Sequence, residues 1–277
     1  MRLCGHTVEA VSLGGIETCI QLPELDLAFD IGRCPHDAVK RKRVFLTHTH
    51  MDHAGGIVYH AATRDLVKAP VPTWYVPREN VDDLHALLDV WRRLDKSDLP
   101  VTLVPCGPGD ELELGAGWVA RPFRSPHRVA CQGYALCKRV TRLRRDLDGL
   151  GEAAVRERRL AGESVAETVE RVEVVFTGDT LPEVIEREEL VRTARLLVIE
   201  CTFLDGRVPV EKARGSGHVH LDELLARADL LQNEHILLTH FSARYGEADI
   251  ERILRNRLPA SLRDRVTALV RSRSSPS

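Results

Sequence analysis

Three histidines and an aspartate fall within six residues, at His48, His50, Asp52 and His53. Imidazole nitrogens and carboxylate oxygens are donors that zinc accepts at about 2.0–2.2 Å. In a tight loop His48 and His50, two apart, can face one ion, while Asp52 and His53 turn toward a second. Two ligands do not complete either ion, so the chain must supply more. His127, Asp179 and His240 are the candidates, in Ser125-Pro126-His127, Thr177-Gly178-Asp179-Thr180 and Leu237-Leu238-Thr239-His240-Phe241. A bridging aspartate and two further histidines would bring each ion to three or four protein ligands, with room for a water between them. A lone histidine is ordinarily a hydrogen-bonded structural residue, and His6, His36, His60, His85 and His235 are read that way. Four donors packed into one loop have no such explanation. Two adjacent metals point to a hydrolase.

These residues need strands to launch them. Arg43-Val44-Phe45-Leu46 is a short apolar run that ends where the histidines begin. Val8 to Leu13, Glu17 to Leu22 and Leu25 to Asp30 read as β-segments, with Gly14-Gly15 at a hairpin turn. Apolar residues at helical spacing predict an amphipathic helix over 81–94. Further strands are expected at 101–104, 118–123 and 133–137. Three strand-plus-loop units follow, at 172–177, 196–200 and 235–239, with helices at 221–231 and 248–258. Between them, Lys138 to Glu173 is dense in charge of both signs. It reads as a solvated helical insertion or as an arm that meets a polyanion. No repeat or linker interrupts the chain. We expect one domain over 1–270 with the charged insertion at about 138–173, and a disordered tail over 271–277.

The balance of 39 basic and 41 acidic residues gives a net charge of −2, so no global field attracts a nucleic acid and any contact must use local patches. Aromatics make up 5% of the chain, which argues against a reader built on stacked bases. Seven cysteines, an odd number without close pairs, suggest reduced thiols in an intracellular protein. No run approaches a membrane span, and the first residues lack an apolar signal-peptide core. The expectation is a soluble, cytoplasmic protein, or a nuclear one in a eukaryote.

The His48-x-His50-x-Asp52-His53 run, the later His127, the Gly178-Asp179 aspartate and the strand-end His240 resemble the metallo-β-lactamase superfamily. Within it the chain resembles ribonuclease Z, the endonuclease that trims tRNA 3′ ends, and most of all its short plant-type form. The motifs are Gly14-Gly-Ile-Glu-Thr-Cys19, Ala28-Phe-Asp-Ile-Gly-Arg-Cys-Pro35, Thr47–Gly56, Phe176-Thr-Gly-Asp-Thr180, Glu200-Cys-Thr-Phe-Leu-Asp205, Gly217-His218 and Thr239-His-Phe-Ser-Ala-Arg-Tyr245.

The resemblance implies an α/β fold, an αββα sandwich of two mixed sheets packed face to face with helices outside. It implies two zinc ions per chain, with manganese as a substitute. His48, His50 and His127 would hold one; Asp52, His53 and His240 the other; Asp179 would bridge. Asp30 would orient a metal-binding histidine. Asp52 would steer the attacking hydroxide, and His218, supported by Glu200, would protonate the leaving oxygen, with His220 a nearby rival. Arg244 is read as a phosphate clamp or a paired surface arginine. The implied partners are precursor tRNA and a second copy of the chain, with no membrane. The chain departs from many ribonuclease Z proteins in lacking a long Gly/Pro-rich arm between His127 and Asp179. Two other functions fit the residues less well. One is a same-fold hydrolase of a small ester; the other is a metal-containing RNA-binding protein without catalysis. The His218/Glu200 pair favours phosphorus chemistry over β-lactam or thioester hydrolysis, and the full set of ligands with an acid weighs against a binder without catalysis.

Overall fold

The strand Leu196–Glu200 shows how the sequence builds layers. Leu196 and Val198 enter one apolar cluster while Leu197 and Ile199 enter another, as the two-residue repeat of a strand requires. His235–Thr239 does the same, with Leu237 on one side and Ile236 and Leu238 on the other. Both strands are parallel-paired and buried on both faces, which explains their continuous apolar runs. In a second sheet, Leu27, Phe29 and Phe45 face the first sheet across the shared cluster, and Ala28, Val44 and Leu46 face away. The computed structural model describes residues 1–270; the tail expected over 271–277 lies outside the described residues.

One sheet has six strands in sequence order, Glu9–Leu13, Glu17–Leu22, Leu27–Phe29, Arg43–Phe45, Thr73–Pro77 and Thr102–Cys106. Its first two pairings are antiparallel and the rest parallel. The other has seven, in the order Val266–Ala268, His235–Thr239, Leu196–Glu200, Ala166–Phe176, Gln132–Leu143, Trp118–Arg124 and Leu112–Gly115. It is parallel at the Val266 end and antiparallel at the other. The helices Ile57–Leu66 and Val81–Asp95 cover the outer face of the six-stranded sheet, with Ile57 and Leu84 in its cluster. Glu247–Arg257 and several shorter helices cover the other. This is the expected αββα sandwich of two mixed sheets.

Three stretches differ from the sequence reading. The helix expected over 221–231 is a short helix, Leu221–Leu225, followed by a single 3-10 turn, Ala228–Leu230. The charged segment is not mainly helical. The strands Gln132–Leu143 and Ala166–Phe176 run on as a long antiparallel ladder, Cys137↔Val172 to Leu143↔Ala166, and carry a short helix, Glu152–Leu160, at the far end. Cross-strand ion pairs account for it: Arg142 with Glu167, and Arg139 with Glu170. Mixed charges that suggested a solvated helix are spaced to pair across strands instead. The helix Val81–Asp95 forms as expected, but Leu87, Trp91 and Leu94 stay exposed. With Met51, Tyr59 and Leu66 they leave an apolar face on this side of the molecule. No helix among the described residues is long and apolar enough to cross a membrane.

The functional candidates converge because of strand direction. Asp30 follows Leu27–Phe29, the histidine loop follows Arg43–Phe45, Asp179 follows Ala166–Phe176, Glu200 ends its strand and His240 follows His235–Thr239. All are carboxyl ends of parallel-paired strands, where open α/β sheets gather ligand-binding groups.

Candidate metal centre

The loop from Thr47 to His50 is anchored from beneath. Asp30 accepts the Thr47 N–H at 2.8 Å, and the Gln132 N–H donates to the Thr47 carbonyl at 3.0 Å. The Tyr134 hydroxyl donates to the Leu46 carbonyl at 2.8 Å. His50 then starts the short helix Met51–Ala54, which carries Asp52 and His53.

Three groups of donors stand close enough to hold a cation: His48, His50, His127 and Asp179; Asp52, His53 and His240; and Asp179, His218 and His240. In each, the ligand atoms lie within 4.8 Å of one another. His48 Nε2 is 3.0 Å from His50 Nδ1, and His53 Nε2 is 3.3 Å from His240 Nε2. Asp179 lies between the first two groups. Its Oδ1 is 3.3 Å from His53 Nε2 and 3.4 Å from His240 Nε2, and its Oδ2 is 3.7 Å from His48 Nε2.

The donors fit metal ions on the evidence of their own hydrogen bonding. His127 Nδ1 donates to the Gly217 carbonyl at 2.8 Å, so its Nε2 carries a lone pair. That Nε2 is buried and has no hydrogen-bond partner. A buried acceptor beside an imidazole–carboxylate cluster is what a cation site requires. Gly217 must be glycine here: its φ is +85°, and a Cβ would lie 2.7 Å from His127 Nδ1. His240 itself has φ +60°, a conformation costly for a non-glycine residue and frequent at functional sites. It is held by its N–H donating to Ser12 Oγ at 3.0 Å.

The charges follow the same logic. Burial, then the charge of His53, pushes His48 well below the usual histidine range. Burial likewise lowers His50 and His127. Burial opposes charge on His53, but Asp179 and Asp30 outweigh it and raise that histidine well above its ordinary value. The metal-free protein thus keeps a proton where a cation would displace it. Burial works against ionising Asp52 and Asp179 too, yet their histidine neighbours hold both carboxyls well below the ordinary range. Asp52 Oδ2 also accepts the Gly15 N–H at 2.8 Å, which ties the glycine turn to the centre.

His218 sits at the edge of this cluster, its ring 5.2 Å from that of His240 and 5.3 Å from that of His127. Its Nδ1 is 2.9 Å from Glu200 Oε1. Burial disfavours its charge, but the Glu200 carboxylate prevails and raises it to about 9. His220, the rival acid, is elsewhere: Nδ1 caps a helix by accepting the Asp222 N–H, and Nε2 faces the Asp205 carbonyl. Asp30 is fully buried, with His53 Nδ1 2.7 Å from its Oδ2. Arg244 is exposed, and its guanidinium pairs with no described residue. The sequence reading passed over Thr47 and Thr202. Thr202 Oγ1 donates to Glu200 and lies 2.9 Å from His240 Nδ1. Both threonines stand inside motifs already singled out, but a hydroxyl's partner is a long-range fact that spacing does not carry.

Beside His127 a groove of about 480 Å³ is lined by Arg124, Arg128 and Arg187. None of the three makes an ion pair with a described residue, although Glu79 shares the groove. Elsewhere on the surface Arg121 pairs with Glu111 and Arg195 with Glu234.

A model of the Beta-lactamase superfamily domain matches residues 28–241. The chain is 38% identical over 271 residues to tRNase Z TRZ1 of Arabidopsis thaliana, covering 97% of this chain and 96% of that protein. It is 34% identical over 252 residues to tRNase Z TRZ2, chloroplastic, of the same plant, covering 90% and 71%. The crystal structure of the short form of human tRNase Z superposes with a TM-score of 0.56 at 19% identity, over 96% of this chain and 90% of that one, a likeness of fold.

Proposed function

This chain belongs to the tRNase Z family of the β-lactamase superfamily, and from that membership we propose that it is a hydrolytic endoribonuclease that cleaves precursor tRNA at the 3′ end. The cut leaves a 3′-hydroxyl on the tRNA and a 5′-phosphate on the trailer. The observation that carries this reading is a Glu200-paired His218 beside an imidazole–carboxylate cluster, in a chain that aligns end to end with a tRNase Z.

His48, His50 and His127 would hold one cation and Asp52, His53 and His240 a second, with Asp179 shared; the nitrogen-rich set suits zinc, with manganese as a substitute. Bound there, the pair would neutralise phosphate charge and supply a nucleophile at neutral pH. The protein's own groups do the rest. Asp52, ionised throughout the working range, orients the attacking water and accepts from it. As the bond from phosphorus to the ribose 3′ oxygen breaks, His218 gives that oxygen a proton. His218 also lies near enough to Asp179 and His240 to join a cation. The Glu200 carboxylate 2.9 Å from Nδ1 favours a protonated ring, which suits a donor and not a ligand. The unpaired arginines beside His127, and Arg244 four residues after His240, suit a substrate with several phosphates.

The apolar face of Met51, Tyr59, Leu87, Trp91 and Leu94 supports a homodimer, since so many exposed apolar groups on neighbouring helices favour a covering partner. Seven unpaired thiols suit a reducing compartment such as the cytoplasm. The charged hairpin beyond Lys138 is read as the shortened arm that docks tRNA. The test sets 3′-extended tRNA beside a chromogenic phosphodiester. Efficient tRNA cleavage supports the reading; turnover of the small ester alone would replace it with a small-ester hydrolase.

A further inference from the structure

Two threonines, one beside each sheet, stand between a buried carboxylate and a histidine of the cluster. Thr47 Oγ1 lies 2.9 and 3.1 Å from the oxygens of Asp30 and 3.0 Å from His48 Nδ1. Thr202 Oγ1 bonds Glu200 Oε2 and lies 2.9 Å from His240 Nδ1. In each case adjacent parallel strands furnish the parts. Asp30 follows Leu27–Phe29, and Thr47-His48 follow its neighbour Arg43–Phe45. Glu200 ends Leu196–Glu200, with Thr202 just beyond it, and His240 follows its neighbour His235–Thr239.

A hydroxyl has one hydrogen to give. The carboxylates are surrounded by groups that can only donate to them. Asp30 accepts from the Thr47 N–H and faces His53 Nδ1; Glu200 accepts from the N–H groups of Thr180 and Val219 and faces His218 Nδ1. Were Thr202 to turn its hydrogen to His240, Glu200 Oε2 would keep only the Val219 N–H at 3.3 Å. A buried carboxylate oxygen left so poorly bonded is costly. At Thr47, whose Oγ1 faces both oxygens of Asp30, the carboxylate is a stronger acceptor than a neutral imidazole. In each case the threonine hydrogen therefore goes to the acid, and only lone pairs face the imidazole. His48 and His240 must then carry hydrogen on Nδ1, which leaves Nε2 as a lone pair. Both Nε2 atoms look into the cluster, each with another histidine nitrogen placed to donate to it: that of His48 is 3.0 Å from His50 Nδ1, and that of His240 is 3.3 Å from His53 Nε2 as well as 3.3 Å from Asp52.

We propose that Thr47 and Thr202 are positioning residues that relay the buried carboxylates Asp30 and Glu200 to His48 and His240, fixing both imidazoles in the tautomer that can bind a cation. Asp30 acts on His53 directly and on His48 through Thr47. Glu200 serves His218 directly and His240 through Thr202, so one carboxylate supports both the proton donor and a ligand. The purpose of the relay rests on the metal reading above; the tautomers themselves do not.

The experiment is ¹⁵N NMR of the histidine rings in the full-length, metal-free protein, at a pH where His48 and His240 are neutral, together with zinc affinity by competition with a chromophoric chelator. In the unaltered protein both rings should show hydrogen on Nδ1. Thr47→Val should shift His48 alone toward the other tautomer, and Thr202→Val should shift His240 alone. Each should weaken zinc binding about 10–100-fold, the range for losing a group that orients a ligand. Thr47→Ser and Thr202→Ser should restore both readouts. Hydrogen on Nε2 of either ring in the unaltered protein overturns the proposal whether or not any variant folds, as does a valine variant with full zinc affinity. Should the unaltered protein bind no zinc while its tautomers are as stated, the metal reading fails and the hydrogen-bond relay stands.

Discussion

At the scale of single residues, the account turns on which groups touch the cations and which move a proton. His218→Ala should lower kcat by about 10²–10⁴-fold, the usual contribution of a positioned acid. Metals per chain should not change; their loss would make His218 a ligand instead. Asp179→Ala should strip metal from both groups, because its two oxygens face His53 and His240 on one side and His48 on the other. A metal count equal to wild type would remove it from the bridging place. The acid has a pH signature of its own. In the metal-free protein, Glu200 raises His218 to about 9, so its charge interaction stabilises the fold fully below the ordinary histidine value near 6.5. That contribution fades as pH rises through about 9. Glu200→Gln should move the NMR titration of His218 toward lower pH, and an unmoved midpoint would mean the carboxylate is not its main partner. The seven proposed ligands stood out in the sequence because they cluster in one loop or come soon after short apolar runs, whereas the proton donor His218 was named only through the Gly217-His218 motif of the resemblance. His220 could not be separated from His218 by spacing alone; only the helix it caps at Asp222 removes it from the chemistry.

At the scale of elements, strand direction does the positioning and the sheets' shared core holds it. Leu237 lies between the sheets, in the cluster with Phe29, Phe45 and Phe176. Leu237→Ala should cost about 2–5 kcal/mol by the cavity it leaves, read as a lower urea midpoint with unchanged slope. A cost under that range would mean the sheets close the gap. Leu196–Glu200 and His235–Thr239 were legible to the residue because each holds an unbroken apolar run, Leu196 to Ile199 and Ile236 to Leu238, that stops at a polar residue. The charged ladder was not, because pairs such as Arg142 with Glu167 depend on a cross-strand register that no local pattern states. Its outer end has its own small apolar packing, with Leu147 and Val165 buried. Replacing residues 144–165 by a tight turn should therefore remove one unit cleanly. The KM for precursor tRNA should rise while the melting temperature holds. An unchanged KM would free the hairpin from any part in docking.

At the scale of the whole molecule, two sheets each bring half of the centre to a common edge, so binding cations also fastens the halves together. Chelation should lower the melting temperature, since ligands bound only by the folded state stabilise it by mass action. The net charge of −2 concealed a local feature: Arg124, Arg128 and the distant Arg187 share a groove without ion pairs. The apolar helix face was hidden for the opposite reason, since Leu87, Trp91 and Leu94 look like core residues until the helix is seen standing clear. The central claim is that this assembled edge hydrolyses the phosphodiester at the 3′ end of a precursor tRNA. It is tested most directly by end-group mapping of a 3′-extended tRNA after incubation with the zinc-reconstituted protein. A single cut at the trailer junction, with a 3′-hydroxyl on the tRNA and a 5′-phosphate on the trailer, is the predicted result. An intact precursor, or products bearing a 3′-phosphate, would contradict it.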